Sequence, residues 1–154
     1  MFEAFTSLLA TLAPMLGLSD ITLREDDPVC LLDIDDFEIC LRYLPGSDQV
    51  LLFTVVAPLP EQGRDALYAS LLDANTFFQG TQGFTLAARE DTGVTLQGVM
   101  PLRVLDNASI GTWVQNFLNI AEQWQAVCLT SAERVEERSP SNQPALSPQN
   151  MLRV

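Results

Sequence analysis

The nine residues Gln49–Ala57 constrain this chain more than any other segment. Val50, Leu51, Leu52, Phe53, Val55 and Val56 make an almost unbroken apolar run, closed by Pro58 and Pro60. Side chains along a strand alternate between two faces, so apolar residues at consecutive positions predict a strand covered on both. Such a strand lies inside a sheet and needs material on either side. Val29–Ile34 and Phe37–Tyr43 are β-rich runs flanking Asp35-Asp36, and Ile21 and Leu23 alternate with polar residues before them. Pro45-Gly46-Ser47-Asp48 is a turn cluster. Residues 20–57 therefore predict an antiparallel meander. With Asp35-Asp36 as a two-residue loop, Ile34 faces Phe37 and Cys30 faces Leu41. Cys40 then falls on the opposite face, and a Cys30–Cys40 bridge is forbidden.

The segments around the meander have helical period. Phe2, Phe5, Leu9, Leu12 and Leu16 step by three and four, with Leu8 and Met15 widening the stripe; Pro14 and Gly17 mark its end. Residues 61–79 predict a second helix with two apolar stripes. One holds Leu67, Leu71, Ala74 and Phe78; the other holds Tyr68, Leu72 and Asn75. A helix with two stripes has two packing partners. One is the sheet. The other is a second subunit or a further layer of the same chain, and 154 residues leave little material for the latter.

Gly80 and Gly83 close that helix. Residues 84–88 and 94–102 predict a hairpin around Glu90-Asp91-Thr92-Gly93. A third helix, capped by Asp106 or Ser109, carries Ile110, Trp113, Val114, Phe117, Leu118, Ala121, Trp124 and Cys128 on one face. From Ser131 the pattern fails, and a charge run leads into a Pro- and Ser-rich stretch. The expected organisation is one α+β domain over residues 1–130, with a flexible C-terminal tail over 131–154. The fold class is an antiparallel, strongly twisted sheet of about five strands with three helices, in the order α-βββ-α-ββ-α, assembled as a homodimer.

Composition removes most chemistry. The chain has 20 Asp+Glu against 8 basic residues, all Arg, and a formal net charge of -12. That repels phosphate backbones and anionic lipid, so neither nucleic-acid binding nor membrane insertion is expected. No histidine is present, which excludes Ser-His-Asp and Cys-His catalysis and His-ligated metals. Glu3 and the lack of any Arg before Arg24 argue against a secretory leader. No apolar window reaches membrane-spanning length. Cys30, Cys40 and Cys128 lack metal-ligand spacing and read as reduced thiols of a cytoplasmic protein. Gly80-Thr81-Gln82-Gly83 follows a helix instead of opening one, so it is no phosphate loop. Asp33, Asp35 and Asp36 are the one tight carboxylate cluster, and they lack the glycine and distal Glu of a calcium loop. They read as a hairpin tip. No cofactor, metal or enzymatic activity is expected.

The order of elements, with the motifs Leu71-Leu72-Asp73-Ala74-Asn75, Phe78, Gly80/Gly83, Phe84-Thr85-Leu86, Gly93-Val94-Thr95-Leu96, Met100-Pro101-Leu102 and Phe117 with Ala121-Glu122-Gln123-Trp124, resembles the class I type III secretion chaperones, the Tir-chaperone (CesT-like) group. The resemblance spans about residues 2–130. It implies a cytoplasmic homodimer of a Gram-negative bacterium that binds the N-terminal region of one or more secreted effectors. The cargo segment is kept non-globular and delivered to the ATPase of the secretion apparatus.

Recognition would use strand addition and apolar pockets. The candidate cargo-binding residues are Phe5, Leu9 and Leu12 on the first helix and Leu32, Ile34, Ile39 and Leu41 on one face of the meander. The candidate dimer residues are Leu67, Leu71, Leu72, Asn75 and Phe78. Two alternatives remain: a dimeric peptide-binding or regulatory module of the same fold unrelated to secretion, and a metal-dependent enzyme built on Asp33, Asp35 and Asp36.

Overall fold

The computed structural model describes residues 2–19, 21–23 and 27–138. Helix α1 (Phe2–Met15) precedes a two-residue strand β1 (Thr22–Leu23) and the meander β2 (Val29–Ile34), β3 (Phe37–Leu44) and β4 (Gln49–Ala57). Helix α2 (Arg64–Asn75) runs into a 3₁₀ turn, Thr76–Phe78. The hairpin β5 (Thr85–Arg89) and β6 (Gly93–Pro101) leads through a second 3₁₀ turn to helix α3 (Ser109–Arg138). The six strands are antiparallel throughout, in the order β1-β2-β3-β4-β6-β5. The expected meander, hairpin and three helices are all present; β1 adds a short sixth strand at the sheet edge.

The hairpin register is the predicted one. Ile34 pairs with Phe37 and Cys30 with Leu41 across the Asp35-Asp36 turn. Asp35 takes a left-handed conformation (φ 53°), which Asp tolerates better than most residues. All three cysteines are free.

One face of the sheet is built into the core. Cys30, Leu32, Phe37, Ile39, Leu41, Tyr43, Val50, Leu52, Leu86 and Leu96 are buried there with Phe5, Leu9 and Leu12 of α1 and Ile110, Val114, Phe117 and Ala121 of α3. Phe5 stacks on Tyr43, with ring centroids 5.9 Å apart, which places α1 over this inner face. Phe84 meets Phe117 edge-on at 5.1 Å. Gly98 lets them close: a Cβ there would lie 2.6 Å from the Phe84 ring and 3.4 Å from Trp113. The first turn of α3 is capped as expected. Asp106 accepts from the Ser109 and Ala108 N–H groups at 2.7 and 3.1 Å, and Ser109 Oγ accepts from the Asp106 N–H at 2.8 Å.

Three expectations change. β4 is central, but its two faces differ: Val50, Leu52, Thr54 and Val56 are buried, whereas Leu51 and Phe53 are half-buried and Val55 is exposed. Helix α2 runs only from Arg64 to Asn75 instead of over 61–79: Thr76 is already extended, and Phe77 and Phe78 are left-handed. Helix α3 continues through Ser131–Arg138, where the charge run was expected to open a tail. Glu133, Arg134 and Glu137 are solvent-facing there, so lost apolar period marks the loss of a packing surface, not the end of the helix. The rest of the expected tail, 139–154, lies outside the described residues.

Candidate functional site

Six of the seven residues read as cargo-binding are core. Phe5, Leu9, Leu12, Leu32, Ile39 and Leu41 are buried, and Ile34 at the strand end is half-buried. The α1 stripe and the meander face cover each other. An apolar stripe marks a face that must be covered, and in this chain the cover is internal. No partner reaches these six while α1 stays docked.

The opposite, outer face is different. Register partners share a face, so Val29, Arg42, Leu51 and Val99 form one row across the strands. Leu31, Cys40, Phe53 and Gln97 form the next. Leu31, Val55 and Val99 are exposed; Leu51, Phe53 and Cys40 are half-buried. The result is a shallow, mainly apolar surface across β2, β3, β4 and β6, with Arg42 and Gln97 set among the apolar side chains. Sequence reasoning passed over it, although Leu51, Phe53 and Val55 were the signal: they make β4 apolar on a side that neither α1 nor α3 covers.

The rim of this surface is acidic. Asp33 and Glu38 are direct cross-strand partners on the outer face, a like-charge pairing that destabilises a sheet when unneutralised. Among the described residues the ion pairs are Arg42–Asp27 at 3.3 Å, Arg64–Glu90 at 3.6 Å and Arg89–Asp91 at 2.9 Å, all exposed. None involves Asp33 or Glu38. Among the described residues no three acidic or cysteine side chains converge on a point that would hold a metal.

Thiol chemistry finds no support. Burial pushes the Cys30 thiol up to about 11, the neighbouring Cys40 adding to it. Burial also raises Cys40, against the pull of Arg42, and raises Cys128. All three stay protonated near neutrality, and the thiolate is the nucleophile.

The α2 region splits the predicted dimer residues. Leu67 and Leu71 are buried in their own chain. Asn75 is half-buried and bonded to Leu86: its Nδ2 donates to the Leu86 carbonyl, and its Oδ1 accepts the Leu86 N–H, both at 2.9 Å. Leu72 is 70% exposed and Phe78 52%. Phe77, which the sequence reading left out, is 85% exposed. Both phenylalanines are left-handed (φ 55° and 57°), a conformation costing about 1–2 kcal/mol per residue. The surrounding turn holds them so. The Gly80 N–H donates to Ala74 O at 3.2 Å, the Gln82 N–H to Phe78 O at 2.9 Å, and Trp124 Nε1 to Gly80 O at 3.0 Å. Beside this turn lies a recess of about 370 Å³ between Tyr68, Leu72 and Asn75 of α2 and Leu86–Ala88 of β5.

The family model described as the Tir chaperone protein (CesT) family matches residues 7–125. The chain belongs to this family. No curated protein matches it by sequence. Among solved structures, the CesT-family fold recurs in a chain of the ExsC–ExsE complex. There the identity is 24% and the TM-score 0.68, covering 79% of this chain and 91% of that one. A chain of the HopA1–SchA chaperone–effector complex is 16% identical, with TM-score 0.65 and coverage of 81% and 95%. A chain of the ExoT–SpcS complex of Pseudomonas aeruginosa is 22% identical, with TM-score 0.60 and coverage of 80% and 98%. The matched span runs from Ser7 within α1 through the whole sheet and α2 to Gln125 within α3. No described helix of this CesT-family chain is long and apolar enough to cross a membrane.

Proposed function

We propose that this chain is a cytoplasmic type III secretion chaperone. It works as a homodimer without enzymatic activity and binds the N-terminal region of one or more effectors. It keeps that region non-globular and hands it to the ATPase of the secretion apparatus. The carrying observation is the outer sheet face, where Leu31, Leu51, Phe53, Val55 and Val99 form an apolar surface that the chain's own helices α1 and α3 leave uncovered. Family membership gives such a surface a purpose: an extended segment laid on it buries apolar side chains that would otherwise drive the cargo to collapse. The acidic rim and the net charge of -12 favour cargo carrying basic residues among its apolar ones. A chain of the same fold in a solved chaperone–effector complex supports the effector-binding part of this reading.

The test is purification of the chain, with whatever it holds, from cells expressing the secretion genes. The expected result is one or a few stoichiometric partners held through a segment near their N-termini and lost from a Phe53→Asp/Val99→Asp variant that still melts like the parent. A partner retained by that variant moves the cargo surface elsewhere. A specific partner that is never secreted favours the regulatory-module reading.

A further inference from the structure

The β2–β3 part of the outer sheet face carries opposite charges at its two ends. Along β3 its side chains run Glu38, Cys40, Arg42. Asp33 stands beside Glu38 on β2, so two carboxylates share the end near the Asp35-Asp36 turn. Arg42 holds the other end, between Val29 and Leu51. Leu31, Cys40 and Phe53 make the row between them. Glu38 and Arg42 are therefore about 13 Å apart at the rise of an extended chain. The Cys40 thiol senses both ends: burial raises it most, Arg42 lowers it, and Glu38 and Asp27 raise it. We propose that this face reads a charge pattern in an extended cargo segment, a basic and an acidic residue four positions apart with an apolar residue midway. The basic side chain meets Asp33 and Glu38, the apolar one lies on Leu31 and Phe53, and the acidic one takes Arg42. This deepens the cargo-binding reading above and rests on it.

Charge complementarity at both ends identifies the occupant. An extended segment aligned with β3 has the same rise as the strand, so its alternate side chains fall on successive rows. At one end, Asp33 and Glu38 are direct cross-strand partners, and among the described residues no ion pair neutralises either. A cargo cation there removes a repulsion that the free sheet carries. At the other end, Arg42 is only partly engaged. It makes one bond to Asp27, at 3.3 Å, whereas Arg89 holds Asp91 with two at 2.9 Å. A guanidinium offers five donors in a fork that matches a carboxylate, and half of the Arg42 side chain is open to solvent. Arg42 also disfavours segments with a second cation at its row. A second copy of the chain fits less well. Each copy brings Asp27, Asp33 and Glu38 to this part of the face against Arg42, so two copies double the excess, whereas a cargo cation reduces it.

The experiment titrates labelled peptides into the full chain at physiological salt, which screens the distant charges. In identical apolar flanks, their centres read Lys-Ser-Leu-Ser-Asp, Asp-Ser-Leu-Ser-Lys, Lys-Ser-Leu-Ser-Lys and Asp-Ser-Leu-Ser-Asp. One of the two mixed peptides should bind about fivefold tighter than either like-charge peptide. Arg42→Glu should turn the preference toward Lys-Ser-Leu-Ser-Lys, and Arg103→Glu, an exposed change of the same charge after β6, should not. Glu38→Arg, which neutralises the other end, should bring the preferred mixed peptide level with Asp-Ser-Leu-Ser-Asp. Each end has its own variant, so one that fails to melt like the parent leaves the other readable. Equal affinity for all four peptides, or a preference that Arg42→Glu and Glu38→Arg leave unchanged, overturns the charge pattern; binding that is still lost in Phe53→Asp/Val99→Asp then leaves the cargo surface standing. Binding of none of the peptides also overturns the pattern, and natural cargo retained by Phe53→Asp/Val99→Asp overturns the cargo surface with it. Peptide binding that appears only when Arg42→Glu dissociates two copies in sedimentation assigns the face to a second copy and overturns the pattern as well.

Discussion

Asn75 takes the place of a neighbouring strand for Leu86, pairing with both its N–H and its carbonyl at 2.9 Å. β5 is the last strand of the sheet, and an edge strand presents unpaired backbone groups on which another chain can add. The last residue of α2 therefore blunts one edge of the sheet in its middle. Under the proposed function, strand addition by cargo would fall to the far edge, at β1 and β2.

Replacing Asn75 with Ala removes both bonds at once and leaves two backbone groups of Leu86 without a partner. The expected loss is about 1–3 kcal/mol, measured by chemical denaturation. The variant should also become more prone to association through the bared β5 edge, visible as concentration-dependent light scattering absent from the parent. Parental stability would mean that water replaces the amide without cost.

Inner- and outer-face substitutions should separate folding from binding. Leu41 is fully buried between sheet and helix, so Leu41→Ala should cost about 2–5 kcal/mol. Phe53 and Val99 sit on the outer face, and Phe53→Ser or Val99→Ser should change stability far less while weakening cargo retention. Equal destabilisation by both classes would show that something covers the outer face in the free protein.

The sequence was most legible where a local rule has one solution. The Asp35-Asp36 turn admits one hairpin register, and that register is present. The α3 stripe of Ile110 to Cys128 can only be a helix against a core. The site was less legible because a stripe states that a residue needs cover without naming the cover. Leu9 and Leu41 are equally consistent with a cargo groove and with a core, and only the docking of α1 on the sheet decides. Phe77 escaped notice for another reason. Its neighbours continue the helical spacing of α2, and nothing in the residue types announces that the backbone turns left-handed there.

Thr81 offers a test of packing at the same turn. Its side chain is fully buried, and its hydroxyl has no hydrogen-bond partner among the described residues. An unpaired buried hydroxyl is a cost that a valine of similar shape does not carry. Thr81→Val should leave the protein as stable as the parent or raise its melting temperature. A clear drop would reveal a bridging water that the hydroxyl holds.

Acid should act through carboxylates held ionised by the fold. The Arg89 guanidinium, with the Thr92 hydroxyl, lowers the Asp91 carboxyl to about 2, and the bonds from Ser109 lower Asp106. A depressed carboxylate stabilises the native state fully above its unfolded value and loses that contribution as pH falls through its folded value. For Asp91 the window runs from about 4 down to about 2. Melting temperature should therefore fall on acidification across that range. Asp106→Asn should flatten part of the fall, because an amide caps the α3 N-terminus without titrating. An identical pH profile in Asp106→Asn would show that the cap is not among the groups that acid dismantles.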